Sequence, residues 1–107
     1  MDVGATTREE RLAVATQLAA LGAYYALHED GLYAAAGLLS AAYDIRQEIL
    51  AGDHQSTVQV ALMLGPVYEQ MGRLDDAEKL YLDAFHALAR AISATMFSAM
   101  GLTAGPQ

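Results

Sequence analysis

The sequence contains no cysteine and no tryptophan, only two prolines, and only six lysines and arginines among 107 residues. Each shortage excludes something. Without cysteine, neither a disulfide framework nor a thiolate zinc site can form. The six basic residues face thirteen acidic ones, for a formal charge of −7, which repels polyanions and argues against nucleic acid and anionic lipid as partners. Long apolar runs are missing as well. The longest uncharged stretch, Ala91 to Gln107, is broken up by Gly, Pro, Ser and Thr, and is too short and mixed to cross a bilayer. The opening MDVGATTREER lacks the basic-then-apolar order of a signal peptide. No membrane insertion and a cytoplasmic location are therefore expected.

What is present is alanine. The hydrophobic fraction is 54%, and much of it is this strong helix former, which also lets helices pack closely. With β-branched residues sparse, an all-α chain follows, large enough for one modest core. Four amphipathic segments can be read along it. Thr7-Arg8-Glu9-Glu10 has the form of a capping box and predicts the first helix start, followed by a stripe of Val14, Leu18, Leu21 and Tyr25. His28 to Gly31 interrupts. A second stripe, Leu38, Ala42, Ile45 and Ile49, runs until Ala51-Gly52-Asp53. Asp53 or Ser56 is placed to cap a third helix with the stripe Ala61, Leu64, Tyr68 and Met71, closed by Gly72. A fourth begins near Asp75, with acidic side chains in its first turn, and carries Leu74, Ala77, Tyr81, Ala84, Leu88 and Ala91.

Short breaks between long helices imply antiparallel neighbours, so two hairpins are expected. The hairpins are alike. Leu21, Gly22 and Tyr25 recur 43 residues on as Leu64, Gly65 and Tyr68, and Ala42 recurs 42 residues on as Ala84. Such a period predicts a stacked helical array.

At these residues the chain resembles the tetratricopeptide repeat family. The second hairpin matches its pattern at Leu64, Gly65, Tyr68, Gly72, Ala77, Tyr81 and Ala84. AYDIRQEILAGDHQST, Ala42 to Thr57, is similar to the longer repeat of kinesin light chains and its Leu-Gly-x-Asp-His-Pro turn, with Gln55 replacing the proline. The first repeat departs further, with a longer turn and with Gly37 and Ser40 where larger residues are usual. The resemblance implies two antiparallel hairpins in an α-α superhelix with an extended C-terminal helix. The expected organisation is a flexible 1–6, one domain over 7–100 and a flexible 101–107, with repeats at about 12–52 and 54–90 and an extension at 91–100.

The resemblance also implies a groove lined by the first helix of each pair, here Thr16, Ala19, Ala23, Ala26 and Leu27, then Gln59, Leu62, Met63, Pro66, Glu69 and Gln70. Relatives often place asparagine or lysine on this face to grip a peptide. Leu62 and Met63 stand there instead, so an apolar helix or peptide segment is the expected ligand. Alternatively these two pack against a neighbouring helix. Pro66 either shapes the groove through a kink or is a tolerated bend.

No charge or breaker interrupts Ala91 to Met100. Leu88, Ile92, Met96, Phe97 and Met100 would project beyond the hairpins, which predicts a homodimer through the fourth helix. The alternative is a tail folded back onto the third helix. No catalytic constellation, metal-ligand spacing or phosphate loop is visible, so neither a cofactor nor an enzyme activity is expected. Binding of an apolar small molecule or lipid between the helices is the other function in view.

Overall fold

The computed structural model describes residues 7–52 and 54–101. Among them the chain is all-α, with four helices: α1 (Arg8–Ala26), α2 (Leu32–Leu50), α3 (Gln55–Gln70) and α4 (Leu74–Ala99). A single 3-10 turn, Glu29–Gly31, joins the first two. Of the segments expected to be flexible, 1–6 and 101–107, all but Gly101 lie outside the described residues, as does Asp53.

Helix starts follow local chemistry. The Thr7 hydroxyl oxygen accepts the Glu10 amide at 3.1 Å and donates to the Glu10 carboxylate at 3.2 Å, so the Thr7 side chain makes both contacts of this cap. Ser56 does not cap α3; its amide is instead the group that is capped. The His54 imidazole Nδ1 accepts the Ser56 amide at 3.0 Å, a role that any side-chain acceptor in the right place can fill. α4 begins one residue before Asp75. Arg73 Nε donates to Asp76 Oδ2 at 2.8 Å, and Asp75 and Asp76 oppose the positive end of the dipole. Gly72, at φ 80°, takes the left-handed conformation that ends α3 without Cβ strain. At the end of α2 it is Ala51, not Gly52, that has positive φ, 78°. Gly101, at φ 77°, closes α4 as its sequence predicts.

Each helix packs against its neighbours in sequence: α1 on α2, α2 on α3, and α3 on α4, with α1 only grazing α3. The result is a thin slab. Its Cα atoms span 53 × 45 × 19 Å with a radius of gyration of 16.4 Å, against ~13 Å for a compact chain of about 100 residues. No closed bundle forms, and α3, held between α2 and α4, supplies the centre of the core with Val60, Leu64 and Val67 almost fully buried.

The two hairpins close through the same contact. In the first, Leu39 of α2 sits on Gly22 of α1, where an added Cβ would come within 2.7 Å of Leu39 Cγ. In the second, the Tyr81 ring of α4 covers Gly65 of α3, and a methyl there would overlap the ring. Gly65 lies 43 residues after Gly22 and Tyr81 lies 42 after Leu39, matching the offsets found in the sequence.

Periodicity misplaced the buried line on more than one helix: on α4, Leu80 and Ala87 are buried, while Leu74, Leu88 and Ala91 of the expected stripe are exposed. α1 meets α2 through Ala15, Ala19 and Gly22, while Val14, Leu21 and Tyr25 remain 49, 48 and 37% exposed. Small side chains set the line of closest approach, and the larger ones flank it. In α2 the most buried positions are Ala35, Leu39 and Ala42, with Leu38, Ile45 and Ile49 half-buried beside them. Pro66 does not break its helix, since α3 runs through it to Gln70. Pro66 and Leu62 are exposed, so the carbonyl that loses its amide partner is on the outer side of the slab.

Glycine substitutions separate these roles. Gly65→Ala should destabilise the protein by about 1–3 kcal/mol through overpacking against Tyr81. Gly37→Ala, on the outside of α2 with nothing within 4 Å of the new Cβ, should stabilise it by up to about 1 kcal/mol. Urea denaturation of the two variants measures both, and equal effects would refute the close contact.

Candidate interaction surfaces

The residues expected to line a groove divide between surface and core. On α3, Gln59, Leu62, Pro66, Glu69 and Gln70 are exposed, with Leu62 at 45%, and form its outer strip. Met63 is half-buried and packs against the core. Leu62 and Met63 therefore part company: one faces outward, the other supports the interior. On α1, Thr16 and Leu27 are exposed, Ala23 and Ala26 are half-buried, and Ala19 is buried against α2 and out of a ligand's reach. The two helices are tied by Arg46 of α2. Its guanidinium donates to the Ser56 carbonyl at 3.1 Å and to Thr16 Oγ1 at 3.4 Å, while Thr16 donates to the Leu12 carbonyl at 3.1 Å. Thr16 is therefore already engaged within the fold.

At the other end of α3 the Tyr81 phenol donates to Glu69. This pair borders an open depression of about 470 Å³ with Leu74, Glu78, Leu82 and Phe85. Burial pushes the Tyr81 hydroxyl up to about 12, helped by the hydrogen bond and negative charge of Glu69. Tyr43 of α2 is also raised, by burial and then by the charge of Asp83. Tyr43 lies across a polar cleft of about 360 Å³ from Lys79, Asp83, His86 and Arg90 of α4. Lys79 and Asp83 pair at 3.1 Å, which holds the lysine charged and raises its pKa. Among the described residues no three His, Asp or Glu side chains stand close enough to hold a metal ion.

α4 therefore has three different faces. Ala77, Leu80, Ala84 and Ala87 are buried on α3. Lys79, Asp83, His86 and Arg90 overlook α2 across the polar cleft. The third face is apolar and uncovered. Leu82, Phe85, Ala89, Ile92 and Met96 follow one another at spacings of 3, 4, 3 and 4, and all five are exposed. Every residue from Leu88 to Gly101 is exposed, so this part of α4 extends about 18 Å past its last buried contact. As far as Gly101, the last described residue, the chain does not fold back on α3. Leu88, Ile92, Met96, Phe97 and Met100 project as the sequence predicts, at 45, 60, 58, 46 and 68% exposure. Leu82 and Phe85 were missed as part of the same stripe, because the overlapping pattern from Leu74 to Ala91 hides their spacing.

The opposite edge of the slab is also open. Tyr68 is 8% exposed, bordered by Tyr33, Ala36 and Ser40 of α2 and covered on its ring face by the Arg73 guanidinium at 4.2 Å. Its counterpart Tyr25, on the first described helix, is 37% exposed. Val14, Leu21 and Tyr24 are exposed as well, whereas their counterparts Thr57, Leu64 and Val67 are buried.

Comparison with protein-family models, with curated proteins and with solved structures finds no match. No described helix is long and apolar enough to cross a membrane.

The Tyr81 pair makes a prediction in alkali. A phenol whose folded pKa is raised above the usual 10 contributes stability that is complete below pH 10 and lost as pH rises towards about 12. Glu69→Gln removes the charge but leaves the burial, so it should lower the Tyr81 pKa without returning it to 10. Phenolate absorbance titrations of the wild type, Glu69→Gln and Tyr81→Phe measure this, and superimposable curves would disprove the coupling.

Proposed function

We propose that this chain is a non-catalytic protein-protein interaction module of tetratricopeptide-repeat type. It binds an apolar helix or peptide segment along the outer strip of α1 and α3 and self-associates through α4. The observation that carries this reading is the duplicated close contact, Gly22 under Leu39 and Gly65 under Tyr81. It supports two like hairpins stacked side by side, a layout that leaves edges and one face open to partners. The absence of a match to known families makes the family assignment rest on these residues alone.

The groove is small. Its strongest anchors are Leu62 and Leu27, 45 and 80% exposed, with Gln59 and Gln70 to hydrogen-bond a bound backbone. Two repeats offer less than the ~800 Å² per partner of a standard interface, so a ligand bound there alone is held weakly. The −7 charge favours a neutral or basic partner by steering. A cytoplasmic location fits the cysteine-free composition.

A double variant, Leu27→Glu with Leu62→Glu, tests the groove without touching the core. Both positions are exposed, so the melting curve should stay within about 0.5 kcal/mol of the wild type. Affinity capture should lose a subset of partners with the variant, whereas an unchanged set removes the groove from the reading. Native mass spectrometry of the purified chain separates the small-molecule alternative, which requires a bound apolar adduct.

A further inference from the structure

The open face of α4 has a spacing, a charge pattern and an area that select its occupant. We infer that it is the seam of a twofold dimer in which α4 of a second copy lies antiparallel along it. The inference rests on the proposed self-association of the last helix and adds its face, orientation and register.

The spacing comes first. Alternating steps of 3 and 4 from Leu82 to Met96 make the seam of a two-stranded coiled coil, whose side chains interlock with a facing helix. The seam is rotated away from the buried side of α4, so a second helix can lie on it without displacing α3. Paired antiparallel, with the twofold axis between Ala89 and Ile92, the stripe fits itself. Leu82 then lies opposite Ala99 of the second copy, Phe85 opposite Met96, and Ala89 opposite Ile92. A large side chain meets a small one in the Leu82–Ala99 and Ala89–Ile92 layers, and Phe85 meets the adaptable Met96 between them.

Charge sets the direction. Between Asp75 and Asp83 the helix carries four carboxylates and one lysine, and after Arg90 it carries no charge. A parallel pair would align the acidic turns with each other and the helix dipoles in the same direction. In the antiparallel register Asp83 lies beside Ser98 of the second copy, in an uncharged stretch, while Asp75, Asp76 and Glu78 lie beyond the Ala99 end of the second copy's α4.

The area is that of a functional patch. The large seam residues Leu82, Phe85, Ile92 and Met96 are 48 to 66% exposed, which leaves on the order of 460 Å² open if each spans ~200 Å² in full. That matches the ~300–600 Å² of the largest patch on a typical monomer, which is often functional, and is roughly half of the ~800 Å² each partner brings to a standard interface.

Head-to-tail stacking is the competing use of a second copy, and α4 resists it. Repeating the α2–α3 contact would put Glu78 where α2 has the buried Ala36, burying a charge.

The lack of native cysteine makes the orientation directly testable. Two full-length variants, Leu82→Cys and Ala99→Cys, are mixed and oxidised gently, with helicity checked by circular dichroism. Light scattering of the wild type at micromolar concentration should give twice the 11.4 kDa of one chain. Ile92→Glu, on the overhang and clear of the core, should weaken the dimer at least roughly 30-fold. The mixture should form a disulfide between chains that joins the thiol introduced in place of Leu82 to the one introduced in place of Ala99, and neither variant alone should crosslink. A monomeric wild type overturns both the dimer and the proposed self-association. Crosslinking of each variant alone, or a dimer that crosslinks in neither test, overturns the seam and leaves the groove reading to its own experiment.

Discussion

The close approach of paired helix backbones at Gly22 and Gly65 is the constraint on which the rest of the structure depends. At each point a bulky side chain of the following helix occupies the space where a Cβ would be. The contact fixes how the two helices of a hairpin lie, and with them which residues of α1 and α3 turn inward. Around it alanines keep the helices close: Ala15, Ala35, Ala42, Ala77, Ala84 and Ala87 are all nearly or fully buried. Such a core is built from proximity rather than large side chains. The dispersion contacts of many small groups do the holding, and each is sensitive to fractions of an ångström.

This economy inside explains the abundance outside. A slab in which each helix packs mainly on its sequence neighbours has two edges, and its large side chains collect there. Val14, Leu21, Tyr24 and Tyr25 lie on one edge, and Leu82, Phe85 and the overhang on the other. The edges differ in chemistry. The outer side of α4 mixes charge with hydrophobic residues at its start and is free of charge at its end, whereas the exposed stripe of α1 has no charge between Leu12 and Leu27. The slab therefore ends in two surfaces of different chemistry.

Much of this was legible before any coordinates. The four helices, their breaks and the glycines that close α3 and α4 follow from local rules that act within a turn or two of helix. What was misread depended on distance. The stripe from Val14 to Tyr25 has a sound helical period, but α2 selected the adjacent line of small residues because only there could the backbones approach. The cap of α3 falls to His54, whose imidazole holds the Ser56 amide in place of the more usual capping residues. Leu62 and Met63 are neighbours in sequence with opposite fates, since 100° of helix rotation separates them. Ala19, expected on the groove, was drawn into the α1–α2 contact with Gly22.

By itself the sequence determined that the chain is helical, where each helix stops, and that its end remains apolar past the second hairpin, since these depend on propensity, capping and period. Only the tertiary structure decided which of two overlapping apolar stripes on α4 is buried and which is left open. Both have a valid helical spacing, and the choice was made by α3, a helix that covers one side and cannot reach the other.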